Sequence, residues 1–433
     1  MKLLYSSTLI VIILFFISCK KKDTDELGPI ISISSPLQNQ FFNVFGVIPV
    51  KASITDETKI TSVSISLVND QYSPVSPSLS VSVQSPSMEI NTSYYIDNIH
   101  LENGIYYLMI VASDGINESR TYQKVSIGAV SKVLKQIFVV SYSSTSQTNL
   151  SYIDSAFTSI IPYHSFSGDY IGSSVSSYFQ QAYRCGEYTG NFEGIILEYN
   201  SQKFSIASQI SSNPYFTGFY SDDKKNYVAR YSGHIIGYDY TGASVYTAIA
   251  SAGFYATAMC FNTNYLITSE KDKTSSAKKL VTHYPTGVAE KQCTITQEVV
   301  EFCEMDNDHV FIFGNISGQG VIQLFDRTNN NLWNPYPSSL SAGTILSAVK
   351  IDEDTYLFGH SNGTIYKYRY QTSSVTTYLT GYAAKQIKYD ELNNQLVIAE
   401  ASKISVFDYP TTTLIKAVNS SETILDVHLL YNR

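Results

Sequence analysis

From residue 388 the chain reads Lys388-Tyr389-Asp390-Glu391, then Leu396-Val397-Ile398-Ala399, then Ile404-Ser405-Val406-Phe407-Asp408-Tyr409. The first segment ends in acidic residues, the second is apolar, and the third alternates apolar with polar side chains. Short runs of this kind, bounded by acidic and amide residues, predict consecutive β-strands. The same order of runs recurs along the chain, so this stretch is one unit of a repeat.

Four earlier segments repeat this order. Equivalent positions in the five units are spaced by 38 to 46 residues: Tyr220, Phe261, Met305, Ile351 and Tyr389. A period near 40 residues with four short strands per unit is typical of β-propeller blades. The third strand often ends in Tyr-Asp or Phe-Asp, and the pattern resembles the WD40-like and quinoprotein-like propeller superfamily. Trp333 is the only tryptophan, so the sequence lacks the Trp-Asp dipeptide of true WD40 repeats.

The repeat predicts a propeller of about seven blades in residues 130–433. The five units above and one from about Ser174 to Ile210 make six blades. Residues 136–161 supply only three strands, and a fourth is available at the other end of the chain, in Ile424–Leu430. We therefore expect the first and last strands of the repeat to pair and close the ring. Closure would also cover sheet edges that otherwise promote aggregation.

Residues 29–128 predict a separate β-sandwich, so the expected fold is all-β throughout. Ile31–Ser34 and Val63–Leu67 alternate apolar with polar residues, as strands with one buried face do. The stretch Gly104–Gly115 alternates in the same way and ends in Asp114-Gly115, a strong hairpin signal. This stretch resembles the last hairpin of bacterial immunoglobulin-like domains. The resemblance implies an immunoglobulin-like spacer of about 100 residues.

The N-terminus predicts export and lipidation. Lys2 precedes an unbroken apolar run from Leu9 to Ile17, which has the length of a signal-peptide core and is too short for a membrane span. The run ends at Phe16-Ile17-Ser18-Cys19, which resembles the lipobox of Gram-negative lipoproteins. The resemblance implies a signal peptide over residues 1–18 and a membrane-anchoring lipid on Cys19. The alternative is an uncleaved N-terminal anchor.

Residues 19–28 form a charged tether that contains Lys20-Lys21-Lys22-Asp23-Thr24-Asp25-Glu26. A stretch without apolar residues stays solvated and holds the folded part away from the bilayer. It is similar to the charged signals that send some Gram-negative lipoproteins to the outer face of the outer membrane. We therefore expect an outer-membrane lipoprotein exposed at the cell surface, with a periplasm-facing protein on a simple linker as the alternative.

Composition and motifs narrow the function classes. Hydrophobic residues make up 44% of the chain and charged residues only 15%, and the 35 Tyr and 21 Phe favour sheet over helix. A formal net charge of −8 argues against nucleic-acid binding. No catalytic, zinc-binding or phosphate-binding motif is present, and no cofactor or metal is expected. Cys293 and Cys303 are close enough in sequence for a disulfide, but we favour a role as buried small hydrophobes.

Six polar residues occupy equivalent positions just past the second strand of their units: Arg184, Arg230, Glu270, Asn315, His360 and Glu400. In propellers, the loops between second and third strands surround the central channel on one face, where ligands usually bind. These residues are therefore the candidate ligand-binding set. The competing explanation is that strands end wherever polar residues begin, which places polar side chains at these positions in any case.

These features favour a non-enzymatic, lipid-anchored envelope or surface protein whose propeller binds protein or glycan. The alternative is a propeller enzyme, a lyase or glycosidase acting on extracellular polysaccharide, which would need convergent carboxylate or Tyr/His/Arg groups. Its candidates are Arg230, Glu270, His360 and Glu400. Two acidic segments, Asp222-Asp223 and Asp352-Glu353-Asp354, carry the oxygen ligands that Ca²⁺ prefers, but ordinary turn chemistry accounts for them.

Overall fold

The computed structural model describes residues 27–433, except residues 145, 210, 337 and 339 and the side chain of residue 143. The predicted signal peptide (residues 1–18), Cys19 and residues 20–26 of the tether lie outside this part. The described chain is built from strands and contains no helix. Within the described residues no helical segment meets the length and apolarity needed to cross a membrane. The chain divides into two compact units, one ending at Ser131 and the other spanning Lys132–Arg433.

The described part of the first unit, from residue 27 onward, contains six strands: β1 (Ile30–Ser35), β2 (Gln40–Asn43), β3 (Val47–Val68), β4 (Leu79–Tyr95), β5 (Gly104–Ser113) and β6 (Glu118–Gly128). They pair in the order β1-β3-β5-β6-β2, and β4 pairs with β3. β3 is 22 residues long and hydrogen-bonds to β1, β4 and β5 along different parts of its length. Its length therefore connects all six strands in one hydrogen-bonded network.

β5 and β6 form the hairpin predicted around Asp114-Gly115. Gly115 has a φ of 98°, a left-handed conformation that glycine adopts without steric cost. The carboxylate of Asp114 accepts hydrogen bonds from the backbone amides of Ile116 and Asn117. Alternate side chains of β5 are buried in the core of this unit, as the sequence pattern predicted: Leu108, Ile110 and Ala112.

The second unit contains seven antiparallel sheets of four strands each. One sheet joins the two ends of the unit, in the order β34-β7-β8-β9. Its strands are β7 (Leu134–Ser144), β8 (Gln147–Ile153), β9 (Ile160–Ser167) and β34 (Thr423–Tyr431).

The other six sheets each use four consecutive strands. In chain order the first three are β10 (Gly172–Ser176), β11 (Gln181–Cys185), β12 (Phe192–Ile196) and β13 (Ser201–Ile206); β14 (Phe216–Ser221), β15 (Asn226–Arg230), β16 (His234–Tyr238) and β17 (Ser244–Ile249); β18 (Phe254–Asn262), β19 (Tyr265–Asp272), β20 (Lys278–His283) and β21 (Ala289–Ile295). The last three are β22 (Glu298–Glu304), β23 (His309–Ile316), β24 (Gln319–Asp326) and β25 (Asn331–Trp333); β26 (Ile345–Lys350), β27 (Thr355–His360), β28 (Thr364–Arg369) and β29 (Ser374–Thr380); β30 (Gln386–Asp390), β31 (Gln395–Ala399), β32 (Lys403–Asp408) and β33 (Leu414–Asn419).

The first and last strands of this unit pair, as the sequence predicted. In the β34–β7 ladder Val427 lies opposite Val139, and His428 lies opposite Phe138. Both valines are fully buried. The innermost strands contact one another in the order β34, β10, β14, β18, β22, β26 and β30, and β30 in turn contacts β34. The arrangement is all-β and propeller-like.

Aromatic side chains fill the space between neighbouring sheets. Phe311 and Phe313 of β23 pack against Tyr356 of β27 in the next sheet, and the ring centroids of Phe311 and Tyr356 are 4.5 Å apart. Every residue of β27 is buried, because this second strand is covered on both faces. The high Tyr and Phe content is therefore used mainly for packing sheet against sheet.

Candidate functional site

The sequence pattern placed the six candidate residues just past the second strands. In the structure five of them lie within the last three residues of these strands, and Glu400 directly follows β31. Three are fully buried, namely Arg184, Glu270 and His360. The other three are half-buried, namely Arg230, Asn315 and Glu400. Buried polar side chains at a strand end need hydrogen-bond partners, and those partners define what the six residues do.

Arg184 stabilises the linker between β9 and β10, which leads into the sheet that contains Arg184. Its guanidinium donates hydrogen bonds to the carbonyl oxygens of Ser167, the last residue of β9, of Gly168, which follows it, and of Asn191. It also lies over the ring of Phe166, with 5.3 Å between the guanidinium carbon and the ring centroid. These contacts tie β11, which carries Arg184, to the end of β9 and to the loop before β12.

The other candidates make contacts of the same kind. Glu270 Oε2 accepts a hydrogen bond of 2.9 Å from the amide of Ser251, and Glu400 Oε1 accepts one of 3.3 Å from Ala383. Asn315 exchanges two hydrogen bonds with the backbone of Ile345 in the next sheet. Arg230 donates a hydrogen bond to the Tyr238 hydroxyl, and His360 Nδ1 accepts one from the backbone amide of Asn362.

The six side chains do not come together as one site. Within the described part of the chain, no hydrogen bond or ion pair joins two of them, and none of them lines the cavities described next. Glu270 in particular is fully buried rather than placed at an open channel mouth. Contact of these residues with a ligand stays a prediction.

A channel lies between the innermost strands of the seven sheets. It consists of two adjoining cavities of about 450 and 290 Å³, which share Ser173, Phe219, Tyr220 and Glu301 in their walls. Every innermost strand contributes at least one residue to the walls: Ser173 (β10), Phe219 (β14), Met259 (β18), Glu301 (β22), Val349 (β26), Lys388 (β30) and His428 (β34). We call this space the central channel.

Six polar side chains meet in the central channel, and we call them the channel cluster: Tyr170, Ser173, Glu301, Lys388, Asp426 and His428. Ser173 Oγ lies 2.8 Å from His428 Nε2 and 2.9 Å from the Tyr170 hydroxyl. Asp426 Oδ2 accepts from Tyr170 at 3.3 Å, and Asp426 Oδ1 accepts from the Val427 amide at 2.8 Å. Asp426 is thus well supplied with donors.

β-Bulges position several of these side chains. The register of the first strand shifts between Val299 and Glu301 in β22, and between Ile424 and Asp426 in β34. A bulge re-aims the residues that follow it and is often found next to functional sites. Glu301 and Asp426 each come directly after the extra residue, and both face the channel.

Ser173, His428 and Asp426 do not form a catalytic triad. Both Ser173 Oγ and Asp426 Oδ2 lie near Nε2 of His428, the latter at 3.4 Å. In a triad the carboxylate binds Nδ1, which leaves Nε2 free to take the serine proton. Because a carboxylate only accepts hydrogen bonds, this geometry favours a proton on Nε2 of His428. Nε2 of His428 therefore does not act as the base for Ser173, whose hydroxyl also lies 3.5 Å from Asp426 Oδ2.

Two members of the cluster have unused hydrogen-bonding capacity. Lys388 Nζ lies 3.9 Å from Asp426 Oδ1, and 34% of its side chain is exposed. The carboxyl group of Glu301 has no hydrogen-bond partner among the residues the structure describes. Burial raises the pKa of Glu301 to about 7, an effect that the positive charge of Lys388 opposes and the negative charge of Asp426 reinforces. Burial lowers the pKa of His428 to about 4, so its imidazole is neutral at pH 7.

A third cavity, of about 630 Å³, opens where the turns between first and second strands lie. Its walls include Tyr220 and Phe261 together with Glu304, Asp306 and Lys350. We call it the turn-face recess. Tyr220 borders this recess and both cavities of the central channel.

The acidic segments considered as Ca²⁺ ligands lie in turns, where their carboxylates accept hydrogen bonds from backbone amides. Asp222 Oδ1 accepts from the amides of Lys224 and Lys225, and Asp352 Oδ1 accepts from those of Asp354 and Thr355. The turn explanation is confirmed for both. Across residues 27–433, apart from the gaps in the description, no three His, Cys, Asp or Glu side chains are grouped as metal ligands. The four cysteines there are free thiols: Cys185, Cys260, Cys293 and Cys303.

The channel cluster was missed in the sequence, although a signal for part of it exists. Asp426 and His428 interrupt the apolar run Ile424–Leu430 at alternate positions, which is unusual for a strand that pairs at the centre of a protein. Ser173, Glu301 and Lys388 occupy comparable places in other first strands. Comparing the first strands of the repeat, rather than the ends of the second strands, would have found most of the cluster.

Comparisons with known proteins give low similarity. No protein-family model matches the chain, and no curated protein matches it. One similar solved structure is the computationally designed Ika8 protein, with 12% identity, a TM-score of 0.47, and coverage of 68% of this chain and 91% of that one. Another is a quinonprotein alcohol dehydrogenase-like protein from Bacteroides thetaiotaomicron VPI-5482, with 11% identity, a TM-score of 0.46, and coverage of 94% and 99%. At this level of similarity, fold and function have to be argued from the chain's own residues.

Proposed function

We propose that the second unit is a seven-bladed β-propeller closed by β34, and that its central channel is the ligand site of a non-enzymatic binding protein for protein or glycan. One observation carries the proposal. The innermost strands of all seven sheets line a channel in which polar groups from distant parts of the chain converge. Concave sites with a few convergent polar groups among apolar walls are typical ligand sites.

The rest of the chain fits an exported, anchored module. We propose that residues 1–18 are removed as a signal peptide and that a lipid on Cys19 holds the protein in the outer membrane, exposed at the cell surface. Residues 29–128 are then an immunoglobulin-like spacer between the anchor and the propeller. The lipobox-like sequence and the Gly104–Gly115 hairpin support these two assignments.

Binding by the purified full-length protein in detergent tests the proposal. The protein is applied to a glycan array and to immobilised envelope extracts, beside Lys388→Met and the control Glu353→Gln, an exposed turn carboxylate outside the channel. We expect the wild type and Glu353→Gln to retain a ligand that Lys388→Met loses. Equal binding by all three proteins would place the ligand outside the channel and contradict the proposal.

One observation favours a polysaccharide-active enzyme as the second candidate. Glu301, whose pKa is raised to about 7, shares the channel with the hydrogen-bonded carboxylate of Asp426. Two carboxyl groups in different environments are what acid–base cleavage of a glycosidic bond requires. Release of reducing ends or unsaturated products from polysaccharides by the wild type, and its loss in Glu301→Gln, would favour this candidate over simple binding.

A further inference from the structure

We propose that the central channel and the turn-face recess together bind a neutral oligosaccharide. Its terminal residue lies against the channel cluster, and the following residues lie in the recess. The inference rests on the proposed function of the channel as a ligand site and narrows that function to one ligand class.

The shape of the site favours a chain of small rings over a protein surface. The channel cavities of about 450 and 290 Å³ are of the size that holds small molecules, and the recess adds about 630 Å³. Tyr220 borders all three cavities, and in the proposed complex the oligosaccharide passes this residue on its way from the channel into the recess.

The unused polar groups match hydroxyl groups. Lys388 offers N–H donors, and Glu301 offers a carboxyl group with no partner among the described residues. The Ser174 hydroxyl in the same wall is buried, and it too has no partner in the described chain. A sugar hydroxyl both donates and accepts, so it satisfies either kind of group. Phe219 and Tyr220 line the same space and offer apolar surface to the C–H face of a sugar ring.

The charge balance of the channel favours a ligand without charge. The positive charge of Lys388 is compensated by the carboxylate of Asp426, 3.9 Å away. Burial keeps His428 neutral by lowering its pKa to about 4, and it raises the pKa of Glu301 to about 7, so Glu301 is mostly uncharged at pH 6. A uronic acid or an amino sugar would bury a charge without a free counter-charge, which is costly.

Calorimetric titration of the purified full-length protein in detergent at pH 6 tests the inference. The probes are neutral hexose and pentose trisaccharides, trigalacturonate, and the trisaccharide of glucosamine. We expect one neutral trisaccharide to bind at least about 10-fold more tightly than both charged ones. Glu301→Ala should weaken this binding by about 10-fold, whereas Glu301→Gln, which keeps a neutral hydrogen-bonding group, should stay within about 3-fold.

Two further variants separate the channel from the recess and from unrelated effects. Glu304→Gln in the recess should weaken the trisaccharide and leave binding of the corresponding monosaccharide unchanged. Glu353→Gln, an exposed turn carboxylate, should bind like the wild type. Thermal unfolding of each variant checks that it is folded.

The possible failures differ from one another. The inference is overturned if a charged trisaccharide binds more tightly than the neutral ones. It is also overturned if Lys388→Met abolishes binding of the neutral trisaccharide while Glu301→Ala leaves that binding intact. In both cases the channel remains a ligand site. The same conclusion follows if no saccharide binds and the wild type retains an envelope protein that Lys388→Met does not retain. If no ligand of either class depends on Lys388, the proposed function fails as well.

Discussion

The central channel shifts the pKa values of Glu301 and His428 in opposite directions. Burial raises the pKa of Glu301 from 4.5 to about 7 and lowers that of His428 from 6.5 to about 4. Both shifts favour the uncharged form, because the channel hydrates an ion less well than bulk water does. Two groups that stay neutral near pH 6 allow the cluster to sit inside the protein with only Lys388 and Asp426 as charges.

The two shifts should oppose each other in the pH dependence of stability. A raised carboxyl pKa means that the folded state binds the proton more tightly, so the contribution of Glu301 falls as pH rises from 4.5 to about 7. The lowered imidazole pKa makes the contribution of His428 rise with pH between about 4 and 6.5. In the wild type these slopes largely cancel.

Single variants should expose each slope. Between pH 4.5 and 7, the free energy of unfolding of Glu301→Gln should increase by about 2 kcal/mol relative to the wild type, and that of His428→Gln should decrease by about as much. Urea titrations of the three proteins at both pH values measure the differences, in which other titrating groups cancel. If the free energy of unfolding of all three proteins changed with pH in the same way, neither side chain would have the shifted pKa.

Arg184 should be one of the most costly polar side chains to remove. Its side chain is 1% exposed, and its guanidinium is the donor for three backbone carbonyl oxygens. Arg184→Met should therefore lower the free energy of unfolding by about 3 kcal/mol, since it leaves buried acceptors without partners. Urea denaturation measures the loss. Arg120→Met, at an exposed ion pair, is the control and should leave the midpoint unchanged; an equal effect of both substitutions would argue against a bracing role.

For single residues, the sequence predicted the approximate position of a side chain along its strand but not the groups that the side chain contacts. The repeat placed Arg184, Glu270 and His360 just past their second strands, whereas each lies among the last three residues of its strand, because strand pairing continues beyond the apolar run. Most of their partners are backbone groups in loops and at strand ends, and Glu270 also contacts the buried side chains of Thr268 and His283. Such contacts leave no spacing pattern in the sequence. The channel residues Glu301 and Asp426 were hidden for another reason: each follows a β-bulge, which breaks the alternation that assigns a side chain to one face.

Among the elements, strands inside the repeat were the most predictable. The apolar run Leu396–Ala399 predicts a second strand, and the structure has Gln395–Ala399. β3 was the least predictable, because only Val63–Leu67 of its 22 residues was assigned to a strand. Its middle carries Asp56, whose carboxylate accepts hydrogen bonds from the amides of Thr58 and Lys59, and the register with β4 shifts there. Local polarity of this kind is read as a loop when the long-range partner is unknown.

The ladder between β34 and β7 should contribute substantially to stability. Val427 is fully buried, lies opposite Val139, and belongs to an apolar cluster that also includes residues of β31 and β32. Val427→Ala should destabilise the protein by about 2 kcal/mol through lost burial and the cavity left behind.

The same substitution at a solvent-facing strand position is the matched control. Val245 in β17 is 51% exposed, so Val245→Ala should change the free energy of unfolding by less than about 0.5 kcal/mol. Urea denaturation followed by tyrosine fluorescence measures both. If the two variants lose the same small amount, β34 does not hold the ends of the unit together.

For the whole molecule, the central channel was not predictable from the sequence. The predicted boundary between residues 128 and 130 lies close to the division between Ser131 and Lys132, because the repeat period begins there. The channel cluster depends on contacts such as that of Ser173 with His428, which are 255 residues apart. A contact that exists only when the sheets are assembled leaves no spacing pattern in the sequence.

The proposed anchor makes a prediction about the complete chain in a Gram-negative host. Cys19→Ser should abolish incorporation of radioactive palmitate and move the protein from the membrane fraction to the soluble fraction, because the acyl chains provide the membrane affinity. Cys293→Ser, a half-buried free thiol in the second unit, is the matched control and should keep both the label and the membrane fraction. A Cys19→Ser protein that still sediments with membranes would instead indicate that the apolar run Leu9–Ile17 is retained as an uncleaved anchor.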